Sequence, residues 1–142
     1  MPAEKEHHRM AHILVAEDEH DIRELIQLTL SFGGHVVTVV NNGAEAVQKV
    51  AEARPDLIML DVRMPKMSGY EACRAIKAME SFSRVPVVFL TAKGQDEEVQ
   101  SGIEVGAAAY ILKPFSPDDL NRRVTELLRQ HNSSAGAAET DG

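Results

Sequence analysis

Residues 56 to 79 read DLIMLDVRMPKMSGYEACRAIKAM, and the change of character within that stretch decides the fold. Asp56 to Leu60 is a short, nearly unbroken apolar run, the pattern of a strand covered on both faces. Asp61 ends it, a polar loop follows, and from Ser68-Gly69 onward Ala72, Ile76 and Met79 recur at helical spacing. A buried strand leading through a loop into an amphipathic helix is half of a βαβ unit.

The same alternation extends in both directions. His12 to Ala16 (HILVA), His35 to Val40 (HVVTVV), Pro86 to Leu90 (PVVFL) and Ala108 to Leu112 (AAYIL) are further apolar runs rich in Val, Ile and Leu. Ile22, Leu25, Ile26 and Leu30 predict a helix stopped by Gly33-Gly34, and Ala46, Val47 and Val50 predict one between Asn41-Asn42-Gly43 and Pro55. Leu120, Val124, Leu127 and Leu128 predict the last, opened near Ser116-Pro117. Another helix, around 95 to 104, has only Val99 and Ile103 as sizeable apolar residues, so it is expected to pack least firmly. Five strands alternating with five helices through right-handed crossovers predict an α/β fold, a flavodoxin-like doubly wound parallel sheet of order 2-1-3-4-5.

At 142 residues and 44% hydrophobic content, one domain is expected. It should occupy 11–130, between a flexible N-terminal segment (1–10) and a flexible C-terminal tail or linker (131–142), whose HNSSAGAAETDG has no bulky apolar anchor. Fifteen basic against 22 acidic residues give a net charge of −7, which argues against direct nucleic-acid binding by this chain. Cys73 is the single cysteine, so an internal disulfide is excluded. No apolar stretch approaches the ~20 residues of a membrane span, and MPAEKEHHRM does not resemble a secretion signal. These features predict a cytoplasmic protein with no membrane partner.

In a doubly wound sheet, ligands sit at the carboxyl ends of the strands, near the point where strand order reverses. The polar residues that interrupt the apolar runs there are Glu17-Asp18-Glu19 after the first, Asp61 after the third, Thr91 after the fourth and Lys113-Pro114 after the fifth. The first and third strands flank the switch point, so Glu17, Asp18 and Asp61 should converge. Carboxylates crowded together need a cation, and an all-oxygen set without His or Cys favours Mg²⁺ over zinc. Lys113 and the Thr91 hydroxyl complete a site suited to a trianion. A carboxylate nucleophile, a hard divalent ion, a lysine and a hydroxyl are the parts needed for in-line phosphoryl transfer.

Four motifs in this order, ILVAEDE (13–19), LIMLDVRMPKMSG (57–69), FLTAK (89–93) and YILKPF (110–115), resemble the receiver domains of two-component response regulators. The resemblance covers roughly 11–130. It implies that Asp61 is the phosphoacceptor, that Glu17, Asp18, Asp61 and the Arg63 backbone carbonyl hold Mg²⁺, and that Thr91, the Ala92 backbone N–H and Lys113 bind the phosphoryl oxygens. Pro114 matches the family's cis-proline. Thr91 and Tyr110 match its switch pair, through which the face of the fourth helix, fifth strand and fifth helix would change on phosphorylation. The donor would be the phosphohistidine of a sensor histidine kinase or phosphotransfer protein, and the output a downstream protein effector. Whether phosphorylation also drives homodimerisation stays open. Glu17 stands where the commonest pattern has Asp, so its longer side chain should reach the metal differently. Arg63 and Lys93, both basic, would shield the aspartyl phosphate and slow its self-hydrolysis.

Each residue also has a plainer reading. Asp61 or Thr91 alone could be a helix-entry residue, and Lys113 a surface lysine. Glu19 is read as a solvated helix start. Tyr110 could be a fixed packing element. Arg122, Arg123 and Arg129 read as a solvated face, and the six scattered histidines carry no assigned function. The nearest enzyme rival, an aspartate-nucleophile phosphohydrolase of the haloacid-dehalogenase type, wants a second Asp two residues after the nucleophile, where this chain has Arg63. A flavodoxin needs a hydroxyl- and Gly-rich loop where AEDEHD offers repelling carboxylates. The expectation is therefore a signalling domain. Its setting is either a stand-alone receiver or the excised N-terminal receiver of a longer DNA-binding regulator.

Overall fold

The computed structural model describes residues 11–92 and 106–141. The strands are β1 (His12–Ala16), β2 (Val36–Val40), β3 (Leu57–Asp61), β4 (Val87–Thr91) and β5 (Ala109–Leu112). They form one parallel sheet of order β2-β1-β3-β4-β5, the topology expected. Its helices are α1 (His20–Phe32), α2 (Gly43–Ala53), α3 (Gly69–Lys77) and α4 (Pro117–Asp141), with a 3₁₀ turn at Glu80–Phe82.

The alternation of side chains along a strand builds two cores from each apolar run. From β1, Ile13 and Val15 pack with Leu57 and Met59 of β3, Ile26 and Leu30 of α1, and Leu120 and Val124 of α4. Leu14 and Ala16 face the other way, onto Ile58, Leu60, Val50 of α2 and Cys73 and Ile76 of α3. Because both faces are covered, the three inner strands carry apolar residues at successive positions. The helix starts are chemically marked as well. Asn42 Oδ1 accepts from the Glu45 backbone N–H at 2.9 Å, and Ser68 and Glu71 form a reciprocal capping box. Arg54, with φ of 47°, ends α2 in the left-handed region just before Pro55.

In three details the described structure differs from, or does not reach, what the sequence suggests. Four α-helices lie among the described residues; the helix expected around 95 to 104 lies outside them, so the expected fifth helix is α4 here. The last helix spans Pro117–Asp141 and so extends past 130, where the domain is expected to end. The segment beyond 130 lacks bulky apolar residues, which removes packing but not hydrogen-bonding capacity. Three alanines favour a helix, no proline interrupts it, and Gly136 costs only about 1 kcal/mol. Leu25, placed on the core face of α1, is instead 39% exposed, with Thr29 buried in the helix's inward stripe.

Gly69, the first residue of α3, lies against the backbone of the strand that precedes it. A Cβ there would sit 2.3 Å from the Asp61 carbonyl oxygen, and backbone cannot swing aside as a flexible side chain would. Gly69→Ala should therefore lower unfolding stability by about 1–3 kcal/mol, read from urea midpoints. A midpoint equal to that of the native protein would show that α3 can shift away from β3 at no cost.

Candidate functional site

β1 and β3 pair directly, so the residues that leave their carboxyl ends emerge side by side. Oxygen atoms of Glu17, Asp18 and Asp61 all lie within 4.8 Å of one another. Glu17 is completely buried and Asp61 is 6% exposed, while Asp18 faces solvent. β5 brings the counter-charge. Lys113 Nζ lies 2.9 Å from Glu17 Oε1, 3.1 Å from Asp61 Oδ2 and 3.8 Å from Glu19 Oε1. The Lys113–Pro114 peptide is cis, as the resemblance implied.

The backbone holds this cluster in shape. The Glu19 N–H donates to Glu17 Oε2 at 3.1 Å, and the Arg63 N–H donates to Asp61 Oδ1 at 3.3 Å. The Lys113 N–H donates to the Thr91 carbonyl at 2.8 Å, which ties the ends of β4 and β5 together. Thr91 is buried at that end, and Ala92, the next residue, is exposed. On the same face of the sheet, Tyr110 is half-buried, in register with Phe89, with ring centroids 5.6 Å apart. Lys93 lies outside the described residues.

Burial drives the Glu17 carboxyl up to about 7; Asp61 pushes the same way and Lys113 only partly offsets them. Burial opposes the Lys113 charge too, yet the adjoining Glu17 and Asp61 outweigh it and raise its pKa above the ordinary lysine value. Glu17 Oε1 is buried and has no hydrogen bond of proper geometry, so its 2.9 Å contact with Lys113 is an ion pair rather than a directed bond. A converging set of carboxylate oxygens, one of them buried and unsatisfied, fits a hard divalent cation. Glu17, Asp18 and Asp61 are the side chains that could hold it.

Several participants escape sequence reasoning. Arg23 donates from Nη1 to the Glu17 carbonyl at 2.8 Å, bracing the loop that presents the acids. Arg123, read as part of a solvated face, donates from Nη2 to the Tyr110 carbonyl at 2.9 Å and so ties α4 to β5. Glu19 is the exposed residue preceding α1, as expected, but its carboxylate also reaches the edge of the Lys113 cluster. Arg122 behaves as expected, pairing with Asp119 at the surface.

An acidic pocket at the β1/β3 switch point, closed by a lysine from β5, defines a class, and the chain belongs to it: the response regulator receiver domain family matches residues 13–125. Among its relatives, the alkaline phosphatase synthesis transcriptional regulatory protein PhoP of Bacillus subtilis strain 168 is 39% identical over 127 residues, covering 89% of this chain and 52% of its own. The probable transcriptional regulator ycf27 of Guillardia theta is 37% identical over 123 residues, covering 87% of this chain and 47% of its own. This chain therefore spans about half the length of these relatives. The structure of the chemotaxis response regulator CheY4 of Vibrio cholerae superposes with a TM-score of 0.79 at 34% identity, covering 83% of this chain and 98% of that one.

The raised Glu17 pKa has a definite consequence for stability. A carboxyl whose folded pKa exceeds its ordinary value of 4.5 binds its proton more tightly when folded, so its contribution is complete below 4.5 and is lost as pH rises through about 7. In chelator, the unfolding midpoint of the native protein should fall between pH 5 and pH 8, and Glu17→Gln should fall less across the same window. Parallel pH profiles for the two would mean that Glu17 is not the group responsible.

Proposed function

We propose that this domain takes a phosphoryl group from a phosphohistidine of a sensor histidine kinase or phosphotransfer protein onto Asp61, with Mg²⁺ bound, and so controls a downstream protein. The observation that carries this reading is the meeting of Asp61 Oδ2 with the Lys113 amine, 3.1 Å apart, inside the acidic cluster. The P–N bond of the donor breaks, a P–O bond to an Asp61 carboxylate oxygen forms, and the departing imidazole nitrogen takes up a proton. Mg²⁺, when bound by Glu17, Asp18, Asp61 and the Arg63 backbone carbonyl, supplies positive charge to the phosphoryl oxygens.

The chain's own groups do the rest. Lys113 and the Thr91 hydroxyl grip phosphoryl oxygens, and the Ala92 backbone N–H donates to a third. Thr91 lies two residues beyond Phe89 on β4, hence on the same sheet face as Tyr110. Drawing the Thr91 hydroxyl toward the phosphoryl group opens room for the Tyr110 ring, and the β5–α4 surface changes with it. The module accepts a group and keeps it, rather than turning over a substrate. At the position where a phosphohydrolase of this chemistry places its acid-base carboxylate, this chain has Arg63.

A second reading of the setting is favoured by one observation. Of the two curated relatives described above, one is named a transcriptional regulatory protein and the other a probable transcriptional regulator, each about twice as long, so this receiver fits the N-terminal half of a DNA-binding regulator as well as it fits a stand-alone module. In that setting the altered surface acts on the attached domain or on a second copy.

Incubation with acetyl phosphate and Mg²⁺ should label the native protein on a phosphate-affinity gel, while Asp61→Asn should remain unlabelled and excess chelator should abolish labelling. Persistent label in Asp61→Asn would place the acceptor elsewhere. Lys113→Ala should label at least about tenfold more slowly, the rate equivalent of roughly 1.4 kcal/mol of lost stabilisation. With Arg63 and Lys93 both changed to Ala, the aspartyl phosphate should decay faster than in the native protein; an equal half-life would remove shielding as a role for these two.

A further inference from the structure

Lys113 pairs with the carboxylates of the acidic cluster, and it is claimed several times over. Its amine faces Glu17 at 2.9 Å, Asp61 at 3.1 Å and Glu19 at 3.8 Å, and an ammonium has three protons to give. For Lys113 to grip a phosphoryl oxygen, one of these carboxylates must release it. Asp61 is not the obstacle, because on the phosphoacceptor reading its charge is consumed when it becomes an acyl phosphate. Glu19 is a weak rival, since its contact is the longest and its side chain is 64% exposed to screening water. Glu17 is different. It is fully buried, it makes the shortest contact, and its Oε1 has no properly directed hydrogen bond to fall back on.

We propose that Glu17 is a positioning residue that tethers Lys113, so that a cation bound to Glu17 and the freeing of Lys113 for the phosphoryl group are one coupled event. The tether depends on side-chain length. The Glu17 carboxylate is held through Oε2 by the Glu19 N–H, which leaves Oε1 directed at the lysine. An aspartate, one methylene shorter, withdraws its carboxylate by about one carbon–carbon bond, on the order of 1.5 Å, and breaks a 2.9 Å ion pair. Competition follows from the same buried geometry. A metal arriving at Glu17 meets a carboxylate already neutralised by Lys113, so binding must first displace the lysine and is weaker for it.

This inference rests on the phosphoacceptor reading, but its test does not require phosphorylation. Mg²⁺ affinity is measured by calorimetry on the native protein, Glu17→Asp, Lys113→Met and the double variant, each checked for folding by thermal melt. Removing the lysine should tighten Mg²⁺ binding about tenfold in the native background and by about threefold or less in the Glu17→Asp background, where no tether remains to be broken. The same factor in both backgrounds would mean that Lys113 acts only as a diffuse positive charge, and the tether would be rejected. Should Glu17→Asp fail to fold, Glu17→Gln closes the same cycle, because it keeps the length and removes the charge. Acetyl phosphate labelling of the native protein and its loss in Asp61→Asn separate the two claims. An additive cycle with normal labelling sinks the tether alone, whereas label on Asp61→Asn sinks the acceptor assignment.

Discussion

The arrangement depends on a single ammonium group surrounded by carboxylates. Glu17 and Asp61 are buried at the ends of adjacent strands, and each would be costly to hold there ionised without compensation. Lys113 supplies that compensation from a strand that touches neither β1 nor β3 directly, since β4 lies between β3 and β5. The site therefore comes into being only when all the inner strands and one edge strand have paired in register. Folding and the assembly of the charged cluster are one event, and the same cluster that a phosphoryl group and a cation would use is what makes the carboxyl ends of the sheet tolerable.

The two-faced core is what aims those strand ends. Ile13 and Val15 lock β1 against α1 and α4, and Leu14 and Ala16 lock it against α2 and α3, so β1 cannot slip by one residue without exchanging its faces. Ala16 is the last residue held in this way, and Glu17 follows it. On β3, Met59 and Leu60 are packed on opposite faces and Asp61 follows. Apolar packing on the order of 25 cal/mol per Å² of surface removed from water sets the register, and the register sets the carboxylate positions to within hydrogen-bonding distances. Gly69 adds a local constraint, because only an absent side chain lets α3 start against the Asp61 carbonyl.

What the sequence made legible follows from the length scale of each interaction. The strands were found to within a residue at each end, because each core position is an apolar side chain and the alternation of runs and helices repeats five times. Glu17, Asp18, Asp61 and Lys113 could be brought together because each breaks an apolar run at a place where topology alone dictates convergence. Arg23, Arg123 and the reach of Glu19 were not legible in the same way. A long polar side chain that bonds a carbonyl six or thirteen residues away leaves no periodic trace, and Arg123 looks the same in sequence whether it points at water or at Tyr110. The far end of α4 is hard to read from sequence for the opposite reason. Residues 131–141 carry no apolar period, and a helix already nucleated by packed turns propagates through them at one backbone hydrogen bond per added residue.

The aromatic column across the sheet shows why a change at the strand ends need not stay there. Phe89 stands between Tyr70, on the first turn of α3, and Tyr110 on β5, at centroid distances of 4.8 Å and 5.6 Å. Tyr70 follows Gly69, which touches the Asp61 backbone, and Thr91 lies two residues beyond Phe89 on the same face. The carboxyl ends of β3 and β4 are thus joined to the edge strand by rings in contact, inside a close-packed core that transmits displacement rather than absorbing it. Arg123, bonded to the Tyr110 carbonyl, carries the connection on to α4. Of the two rings on the Thr91 face of the sheet, Phe89 has no exposed surface and Tyr110 is half-buried at the edge. On the phosphoacceptor reading, the half-buried edge ring is the one through which a change at Thr91 would reach the surface.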